Sequence, residues 1–377
     1  MLKKFYKGEN ILSSLFNVRL NVALTFNAKP ESQTCQPDSQ AFPEQVSPNS
    51  NLGNVQPDKS IDTYAEWDTW ETINAVKRAI ECFHNCTLVE ADYSAFEKLK
   101  QISPDIVFNI AEGFNGVSRE AQVPSMLDML QIPYTGSDPL TLATCLDKAR
   151  TKEILSYYKV PNAKFVIIDS PERAREVNLE FPLIVKPISE GSSKGIFSSS
   201  FVKNKTELIN EAERILSEYN QAALAEEFLP GREFTVAILG NGSEAEVLPI
   251  IEINYNDFPS DFIPIYSYEA KWILDTKEDP LDVFTCPARI DKHLETKIKD
   301  TALRTFNILK CRDWSRIDVR LDKNNEPNII EVNPLPGILP NPEENSCFPK
   351  AARSNGLNYN DMINKVLYYA AKRHKLI

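Results

Sequence analysis

Long apolar runs are missing from this sequence of 377 residues. A helix needs about 20 consecutive apolar residues to cross a bilayer, and the sequence contains no uninterrupted stretch of that kind. Residues 1–10 are basic, but polar side chains interrupt residues 11–19 too often for the apolar part of a signal peptide. We therefore expect no membrane partner, although a short amphipathic surface helix in residues 11–19 stays open.

Paired cysteines and a surplus of positive charge are missing as well. The seven cysteines are scattered without a CxxC pair, which is typical of reduced thiols in the cytoplasm. Cys82, His84 and Cys86 raise the alternative of a metal site, but no second ligand cluster accompanies them and the helical spacing around them favours core packing. The formal net charge of −11 argues against a nucleic acid or an acidic membrane as partner, so an anionic ligand requires a local group of lysines.

Strand and helix patterns alternate in the first part of the chain. The apolar spacing predicts, in order, a strand at 22–26, a helix at 69–83, a strand at 88–90, a helix at 93–101 and a strand at 105–109. Such alternation predicts a parallel α/β layer. Residues 27–62 are instead rich in Pro, Ser, Gln and Asn, which predicts a flexible insertion.

A mixed pattern follows in the rest of the chain. Strands predominate from residue 222 onward, before two late helices. The predicted helices are 147–159, 206–218, 293–309 and 359–373, and the predicted strands between the first two are 164–168, 182–187 and 196–201. This second part is therefore expected to be α+β.

Two adjacent strands in this second part carry acidic and amide side chains. Residues 316–322 alternate apolar and polar side chains around Asp318, a turn follows at 322–325, and the next strand carries Glu331 and Asn333. Residues two apart in a strand share one face, so the hairpin can present three oxygen ligands together. Such ligands suit Mg²⁺, which keeps waters and binds substrate phosphates. The alternative is an ordinary hairpin with a polar outer face.

A phosphate site is predicted upstream of this hairpin. Residues 181–187 form an apolar strand that carries Lys186, and the small residues of the loop 190–196 offer backbone N–H groups that can wrap a phosphate. An acidic segment at 225–236 and a further lysine, Lys271, follow. Lysines, a Gly/Ser loop and a carboxylate cluster in this order indicate a nucleotide-triphosphate site.

These motifs resemble those of the ATP-grasp superfamily and, within it, the D-alanine–D-alanine ligase family. The matching segments are 133–137, 147–148, the Lys186 strand with its loop, 226–236, 268–271 and 316–337. The resemblance implies an ATP-grasp fold of α/β and α+β class, with an N-terminal parallel α/β substrate domain. The implied ranges are 1–140 for that domain, 141–220 for a central subdomain and 221–377 for a C-terminal subdomain.

The chemistry that the resemblance implies is activation of a carboxylate by ATP to an acyl phosphate, followed by attack of an amine to form an amide. Lys148 and Lys186 match the lysines that contact the phosphates, and Lys271 matches the one beside the transferred γ-phosphate. Ser192 and Ser193 would close over the phosphates and the substrate. For Lys148 the alternative is a solvated helix terminus.

The resemblance also assigns the nucleotide and metal contacts, with ATP between the last two subdomains. Glu226 and Leu229 lie where the family reads the adenine edge, and Glu233 where a carboxylate accepts the ribose hydroxyls. Arg316 matches the arginine that stabilises the acyl phosphate and the tetrahedral intermediate, with a surface ion pair as its alternative. The ligands of Mg²⁺ (or Mn²⁺) in the family are matched by Asp318, Glu331 and Asn333.

The substrate pocket is where the resemblance loosens. Glu66 is the best match for the glutamate that holds the ammonium of the first substrate, and Glu120 matches an acidic position that supports it. After the metal strand the family has a Ser/Thr-rich turn ending in a serine that binds the carboxylate of the second substrate. Here residues 334–342 are rich in proline. This departure predicts that D-alanine is a poor second substrate.

The leading hypothesis is an ATP-dependent ligase of the cytoplasm that acts on amino-acid-like small molecules, with residues 254–272 as a lid that excludes water. A ligase for a different amino acid or a peptide stays open, as does a homodimer. The other alternative is a nucleotide-binding module without catalysis. The intact set of Arg316, Lys271 and the three metal ligands argues against it.

Overall fold

The computed structural model describes residues 18–30, 64–255, 265 and 283–377. Most of the predicted insertion, most of the predicted lid and Lys271 lie outside the described residues. Within these ranges, none of the helices combines the length and the apolar character that a membrane crossing requires.

The first sheet is parallel, as the alternating pattern predicted. Its strands β1 (Asn21–Phe26), β2 (Asn85–Glu90) and β3 (Ile106–Asn109) lie in the order β2-β1-β3. The helices that accompany them are α1 (Trp70–Glu81), α2 (Ala95–Ile102) and α3 (Gln122–Leu130). The side chain of Thr69 accepts a hydrogen bond from the N–H of Thr72, so α1 begins at the predicted place.

Two details of this layer differ from expectation. Because α1 ends at Glu81, Cys82 is exposed at the helix terminus and Cys86 lies in β2. The prediction that the helical spacing packs this segment in the core is therefore wrong for Cys82. Ala28 forms a parallel bridge with Asp68, so the first residues of the predicted insertion extend the layer.

The central sheet is antiparallel. Strands β4 (Phe165–Ile168), β5 (Leu183–Pro187), β6 (Phe201–Val202) and β7 (Ala223–Glu227) lie in the order β4-β7-β5-β6. Helices α4 (Pro139–Leu146) and α5 (Lys148–Tyr157) precede it, and α6 (Pro171–Glu176) and α7 (Lys205–Glu218) lie between its strands in sequence. The strand predicted at 196–201 is wrong: residues Ser198–Ser200 form a 3-10 helix and only Phe201 and Val202 pair as a strand.

The third sheet contains the predicted hairpin. Strands β8 (Glu233–Leu239), β9 (Glu246–Val247), β10 (Ile251–Ile253), β11 (Phe284–Thr285), β12 (Trp314–Leu321) and β13 (Pro327–Asn333) are antiparallel, in the order β11-β10-β8-β12-β13 with β9 on β8. Helices α8 (Lys292–Ile308), α9 (Cys347–Ser354) and α10 (Tyr359–Arg373) complete the described chain. The subdomain boundaries stay a prediction, and a boundary at residue 220 would separate β7 from the two strands that it pairs with.

One hydrophobic core joins the first and third sheets. Trp314 of β12 packs edge-on against Phe108 of β3 and Phe348 of α9, with ring centroids 5.6 Å and 5.7 Å away. The same core contains Ile73 of α1 and Val366 of α10. This shared packing fixes the first sheet against the third, and the central sheet then faces the third across a cleft.

Candidate active site

A cleft of about 340 Å³ lies between the central and third sheets. Its wall brings together predicted residues from distant parts of the chain: Glu66, Lys148, Lys186, Ser192, Ser193, Glu226, Leu229, Glu233, Arg316, Asp318 and Glu331. Asn333 borders the cleft through a hydrogen bond from its Nδ2 to Oδ2 of Asp318, at 3.2 Å. Glu120 is buried and does not reach the wall, and Lys271 lies outside the described residues.

The predicted metal ligands share one face of the β12–β13 hairpin. Asp318 pairs in register with Glu331, and Arg316 pairs with Asn333. Directly opposed residues of an antiparallel pair project to the same side, so the four side chains form one group. A register shift after Asp318 leaves Ile330 as an extra residue, a bulge of the kind that redirects side chains next to functional sites.

The carboxylates of Asp318 and Glu331 both form ion pairs with cationic side chains of the protein. Nη2 of Arg316 lies 3.0 Å from Oδ2 of Asp318, and Nζ of Lys148 lies 2.9 Å from Oε1 of Glu331. Burial alone would raise the pKa of the Glu331 carboxyl, but Lys148 and Lys186 outweigh burial and hold that pKa below its usual value. Glu331 is therefore ionised at neutral pH, as a metal ligand must be.

These residues fit a cation that takes part of its coordination from elsewhere. Among the described residues, no group of three or more His, Cys, Asp or Glu side chains is arranged to hold a metal ion. Two carboxylates and one amide are instead the donor set of a hard cation that keeps waters and binds phosphate oxygens. The side chains beside them, Arg316 and Lys148, carry positive charge of the kind that pairs with phosphate groups.

Two predicted lysines are buried in the wall. Lys148 is the first residue of α5 and is only 4% exposed, so the alternative of a solvated helix terminus is wrong. Its ammonium also donates to the carbonyl of Glu190 in the Gly/Ser loop. Lys186 on β5 is 3% exposed, and its Nζ lies 2.6 Å from Oε1 of Glu226. Burial would lower the pKa of Lys186, but Glu226 and Glu331 outweigh burial and raise it, so the ammonium stays charged.

A third buried lysine, Lys152, was not among the residues predicted from the sequence. It lies one helical turn after Lys148 in α5, lines the cleft, and places its Nζ 2.7 Å from Oε2 of Glu226. The spacing of four residues between the two lysines was the signal that could have found it, because residues i and i+4 share one helix face. What the sequence did not reveal is that this face covers the central sheet, where Ala149 packs on Leu224.

The two glutamates predicted to read the nucleotide hold protein cations. Glu226 has one lysine at each oxygen, and these two lysines outweigh burial and lower the pKa of its carboxyl to about 2. Oε2 of Glu233 accepts hydrogen bonds from Nη1 of Arg320, at 2.8 Å, and from the hydroxyl of Tyr255, at 2.9 Å. Leu229 lines the cleft beside them. All three line the same cleft, and their contact with a nucleotide stays a prediction.

Glu66, the match for the glutamate that holds the ammonium of the first substrate, already has protein partners. Arg119 approaches both of its oxygens, and the N–H of Gly191 donates to Oε1 at 2.7 Å. Arg119 additionally donates to the carbonyl of Ser189, at 2.8 Å. Glu66 is thus hydrogen-bonded directly to the Gly/Ser loop, although it precedes that loop by more than a hundred positions. Its charge is balanced by Arg119, which was not among the predicted residues.

The Gly/Ser loop turns tightly through left-handed residues. Ser192 and Ser193 have φ values of 49° and 62°, a left-handed conformation that is uncommon for residues other than glycine. Gly195, with φ of 72°, is required because an added Cβ would lie 2.3 Å from Pro187. Two strained serines next to a cleft are typical of a loop under functional constraint.

A serine does follow the proline-rich turn, which corrects one expectation. Ser346 precedes α9, is buried, and lines the cleft together with Gly337 and Leu339. Its hydroxyl donates to the carbonyl of Gly337, at 3.2 Å, and accepts from the N–H of Leu339, at 3.1 Å. Ser346 was not predicted because it lies beyond residues 334–342, the turn in which the family has its serine.

Known proteins resemble the chain in sequence and in structure. Residues 154–368 match the family described as D-ala D-ala ligase C-terminus. An uncharacterized protein, y4sG, of Sinorhizobium fredii is 34% identical over 317 residues, covering 82% of this chain and 90% of that protein. The D-alanine–D-alanine ligase of Pelotomaculum thermopropionicum is 32% identical over 292 residues, covering 75% and 85%. The crystal structure of the Bacillus anthracis D-alanine–D-alanine ligase complexed with ATP shares the fold, with a TM-score of 0.64 and 20% identity over 94% of this chain and 99% of that one.

Proposed function

The chain belongs to the D-alanine–D-alanine ligase family, and from this premise we propose that it joins a carboxylate to an amine at the expense of ATP, through an acyl phosphate. The observation that carries the proposal is the pairing of Asp318 with Glu331 on one face of a hairpin, with Arg316 and Lys148 directly on them. Phosphoryl transfer requires positioned positive charge and a metal site more than a protein nucleophile. This group of residues offers both.

Asp318, Glu331 and Asn333 would hold Mg²⁺, or Mn²⁺ in its place. When bound, the metal neutralises charge on the phosphate oxygens of ATP and orients the chain of phosphates. Lys148 and Lys186 add fixed positive charge at the same place, and their burial makes that charge more effective than it would be in water. The strained loop with Ser192 and Ser193 lies where it can close over the phosphates.

The two chemical steps place different demands on the protein. In the first, a carboxylate oxygen of the donor attacks the γ-phosphorus and ADP leaves with the electrons of the broken P–O bond. In the second, the amine of the acceptor attacks the acyl carbon, loses a proton and expels phosphate. Arg316, partly buried beside Asp318, is positioned to stabilise the negative charge that develops on the acyl oxygen. Water must be excluded between the steps, because it would hydrolyse the acyl phosphate.

We propose amino-acid-like small molecules as substrates. The donor site would include Glu66, and Glu120 would support it from behind the wall. The acceptor site would lie near Gly337 and Ser346. A cytoplasmic location is supported by the described cysteines, which are all free thiols. A homodimer stays a prediction.

A nucleotide-binding module without catalysis is the second candidate. It would be free to lose the arginine and the carboxylate pair, since adenine and ribose contacts suffice for binding. Their retention at contact distance favours an active ligase. A ligase for a different amino acid or a peptide stays an alternative within the same chemistry.

The test is phosphate release from ATP with Mg²⁺, screened over pairs of D- and L-amino acids and short peptides, with the product identified by mass. An active ligase gives phosphate and one amide product in equal amounts, and only when both substrates are present. Phosphate release that is independent of amino acids, or ATP binding without any product across the screen, would favour the binding module. The Asp318→Asn variant is the control for contaminating ATPase activity.

A further inference from the structure

Two buried ammonium groups share a single carboxylate in the cleft. Glu226 of β7, with a 7% exposed side chain, has Lys186 at Oε1 and Lys152 at Oε2, at 2.6 Å and 2.7 Å. The lysine side chains are 3% and 2% exposed. Ile184 is the register partner of Glu226, so Lys186 lies two residues further along β5 on the same face. Lys152 reaches the carboxylate from α5, which covers that face.

This arrangement is costly for a residue that only supports the fold. Both ammonium groups have Glu226 as their contact partner, while Glu331 acts on them from further away, so the second ammonium is desolvated without a contacting carboxylate of its own. Burial is the dominant influence on Lys152 and lowers its pKa, although Glu226 opposes the change. An uncharged Met of similar length would fill the same space without the free-energy cost of burying a second ammonium group. The excess positive charge becomes useful when an anion enters the cleft.

We propose that Lys152 is a positioning residue for the nucleotide, an inference that rests on the proposed function. By holding Oε2 of Glu226, it fixes the plane of the carboxylate, and the carboxylate then fixes the ammonium of Lys186 through Oε1 alone. Without Lys152 the carboxylate can rotate and chelate Lys186 with both oxygens, which draws that ammonium away from the nucleotide. The effect is expected on ATP binding and not on the amino-acid substrates, because neither of the residues proposed for their sites, Glu66 and Ser346, is paired with Lys152, Lys186 or Glu226.

The first measurement is ATP binding by calorimetry on the full chain. For Lys152→Met we expect the Kd for ATP to rise about tenfold, the size expected for loss of one charge-assisted contact. Lys152→Arg should recover most of the affinity. Lys164→Met is the matched control, because Lys164 makes the equivalent pair with the neighbouring Glu227 but is 76% exposed; its Kd should stay at the wild-type value.

If the role of Lys152 were purely structural, its removal would lower the Tm and leave the Kd for ATP unchanged. The positioning role predicts the reverse. Removing Lys152 leaves Glu226 and Lys186 as a balanced pair, so the Tm of Lys152→Met should equal or exceed that of the wild type. In steady-state assays the KM for ATP should rise while the KM values for the amino acids stay the same. A lower Tm with an unchanged Kd for ATP would overturn the proposal.

A double variant separates positioning from direct contact with the nucleotide. If Lys152 acts through Glu226, then adding Lys152→Met to Glu226→Gln should weaken ATP binding by much less than tenfold. A full tenfold loss in that background would overturn the positioning role. A wild-type protein that binds ATP but forms no amide would refute the proposed ligase function alone, and these binding results would still decide the role of Lys152. Failure of the wild type to bind ATP would overturn both.

Discussion

Arg119 and Glu66 form a bidentate ion pair in which Nη2 of the arginine lies 2.6 Å from Oε1 and 2.7 Å from Oε2 of the glutamate. Both side chains are less than a tenth exposed. Arg119 also contacts Glu190, at 3.3 Å, and Glu66 accepts the N–H of Gly191. The pair therefore connects the first layer of the protein to the Gly/Ser loop, and Arg119 balances the charge of the glutamate that was matched to the substrate ammonium.

Breaking this pair from one side should be far more harmful than removing it. Arg119→Met leaves a buried carboxylate without its main counter-charge, which costs about 3–5 kcal/mol of unfolding free energy. The double variant Arg119→Met/Glu66→Gln should recover most of that loss, because no unpaired charge remains. Denaturant unfolding measures both. Lys372→Met, which removes an exposed pair with Glu244, is the control and should leave the free energy of unfolding close to the wild-type value; an equally small change for Arg119→Met would contradict the prediction.

The carboxylates of the hairpin should be essential for turnover and dispensable for folding. Asp318→Asn or Glu331→Gln removes one anionic ligand from the proposed metal site, so phosphate release should fall by about 100-fold or more. Circular dichroism should be unchanged. Glu326→Gln is the matched control, since Glu326 lies at the turn of the same hairpin, is 49% exposed and pairs with Lys297. Wild-type dependence of turnover on Mg²⁺ concentration in both carboxylate variants would refute the metal assignment.

D-Alanine should be a poor second substrate. Prolines in the turn at 334–342 have no backbone donor, and the hydroxyl of Ser346 already donates to Gly337, so an acceptor carboxylate finds few partners there. A poorly paired carboxylate costs about 1–3 kcal/mol, or roughly 10- to 100-fold in kcat/KM. Competition between D-alanine and bulkier or differently charged amines, with products separated by mass, measures the preference. Dominant D-alanyl-D-alanine formation in that mixture would show the inference wrong.

Glu120 should make the protein less stable as the pH rises. Burial raises the pKa of its carboxyl from 4.5 to about 8, even though Arg119 opposes the change. The folded state thus binds more protons than the unfolded state between these values, and the free energy of unfolding must fall as the pH rises from 4.5 to about 8. Glu120→Gln removes this contribution, so its Tm should exceed that of the wild type at about pH 8 by about 2–4 °C for each kcal/mol recovered. An equal gain at about pH 5, where the wild-type carboxyl is already protonated in the folded state, would show that its ionisation is not the cause.

The shared face of the β12–β13 hairpin could be predicted from the sequence because its geometry is local. Strand period and one turn suffice to place Asp318 and Glu331 on one face. The strand expected at 196–201 failed for a local reason too: residues Ser198–Ser200 form a 3-10 helix, so only Phe201 and Val202 pair with β5. Backbone conformations of that kind leave no trace in apolar spacing.

Contacts between distant segments were the part that the sequence could not supply. The individual motifs identified Lys148, Lys186 and Glu226. They did not reveal that α5 brings Lys152 to the carboxylate of Glu226, where Lys186 also binds. Arg119 is separated from Glu66 by 53 positions, and no periodicity links them. The short helices α3, α4, α6 and α9 were missed because each is shorter than three turns and contains a proline, which is read as a helix boundary or break.

The packing of α10 on α1 has a consequence for synthesis of the chain. Asn364 donates a hydrogen bond to the carbonyl of Ala79 across a separation of 285 residues, and Val366 and Leu367 share a core with Ile73 and Val76. During translation the strands of the first sheet can cover part of the apolar surface of α1, but the part that packs on α10 stays uncovered until α10 has left the ribosome. We therefore expect the nascent first layer to expose apolar surface during most of the time of elongation, a state that favours aggregation and binding of chaperones.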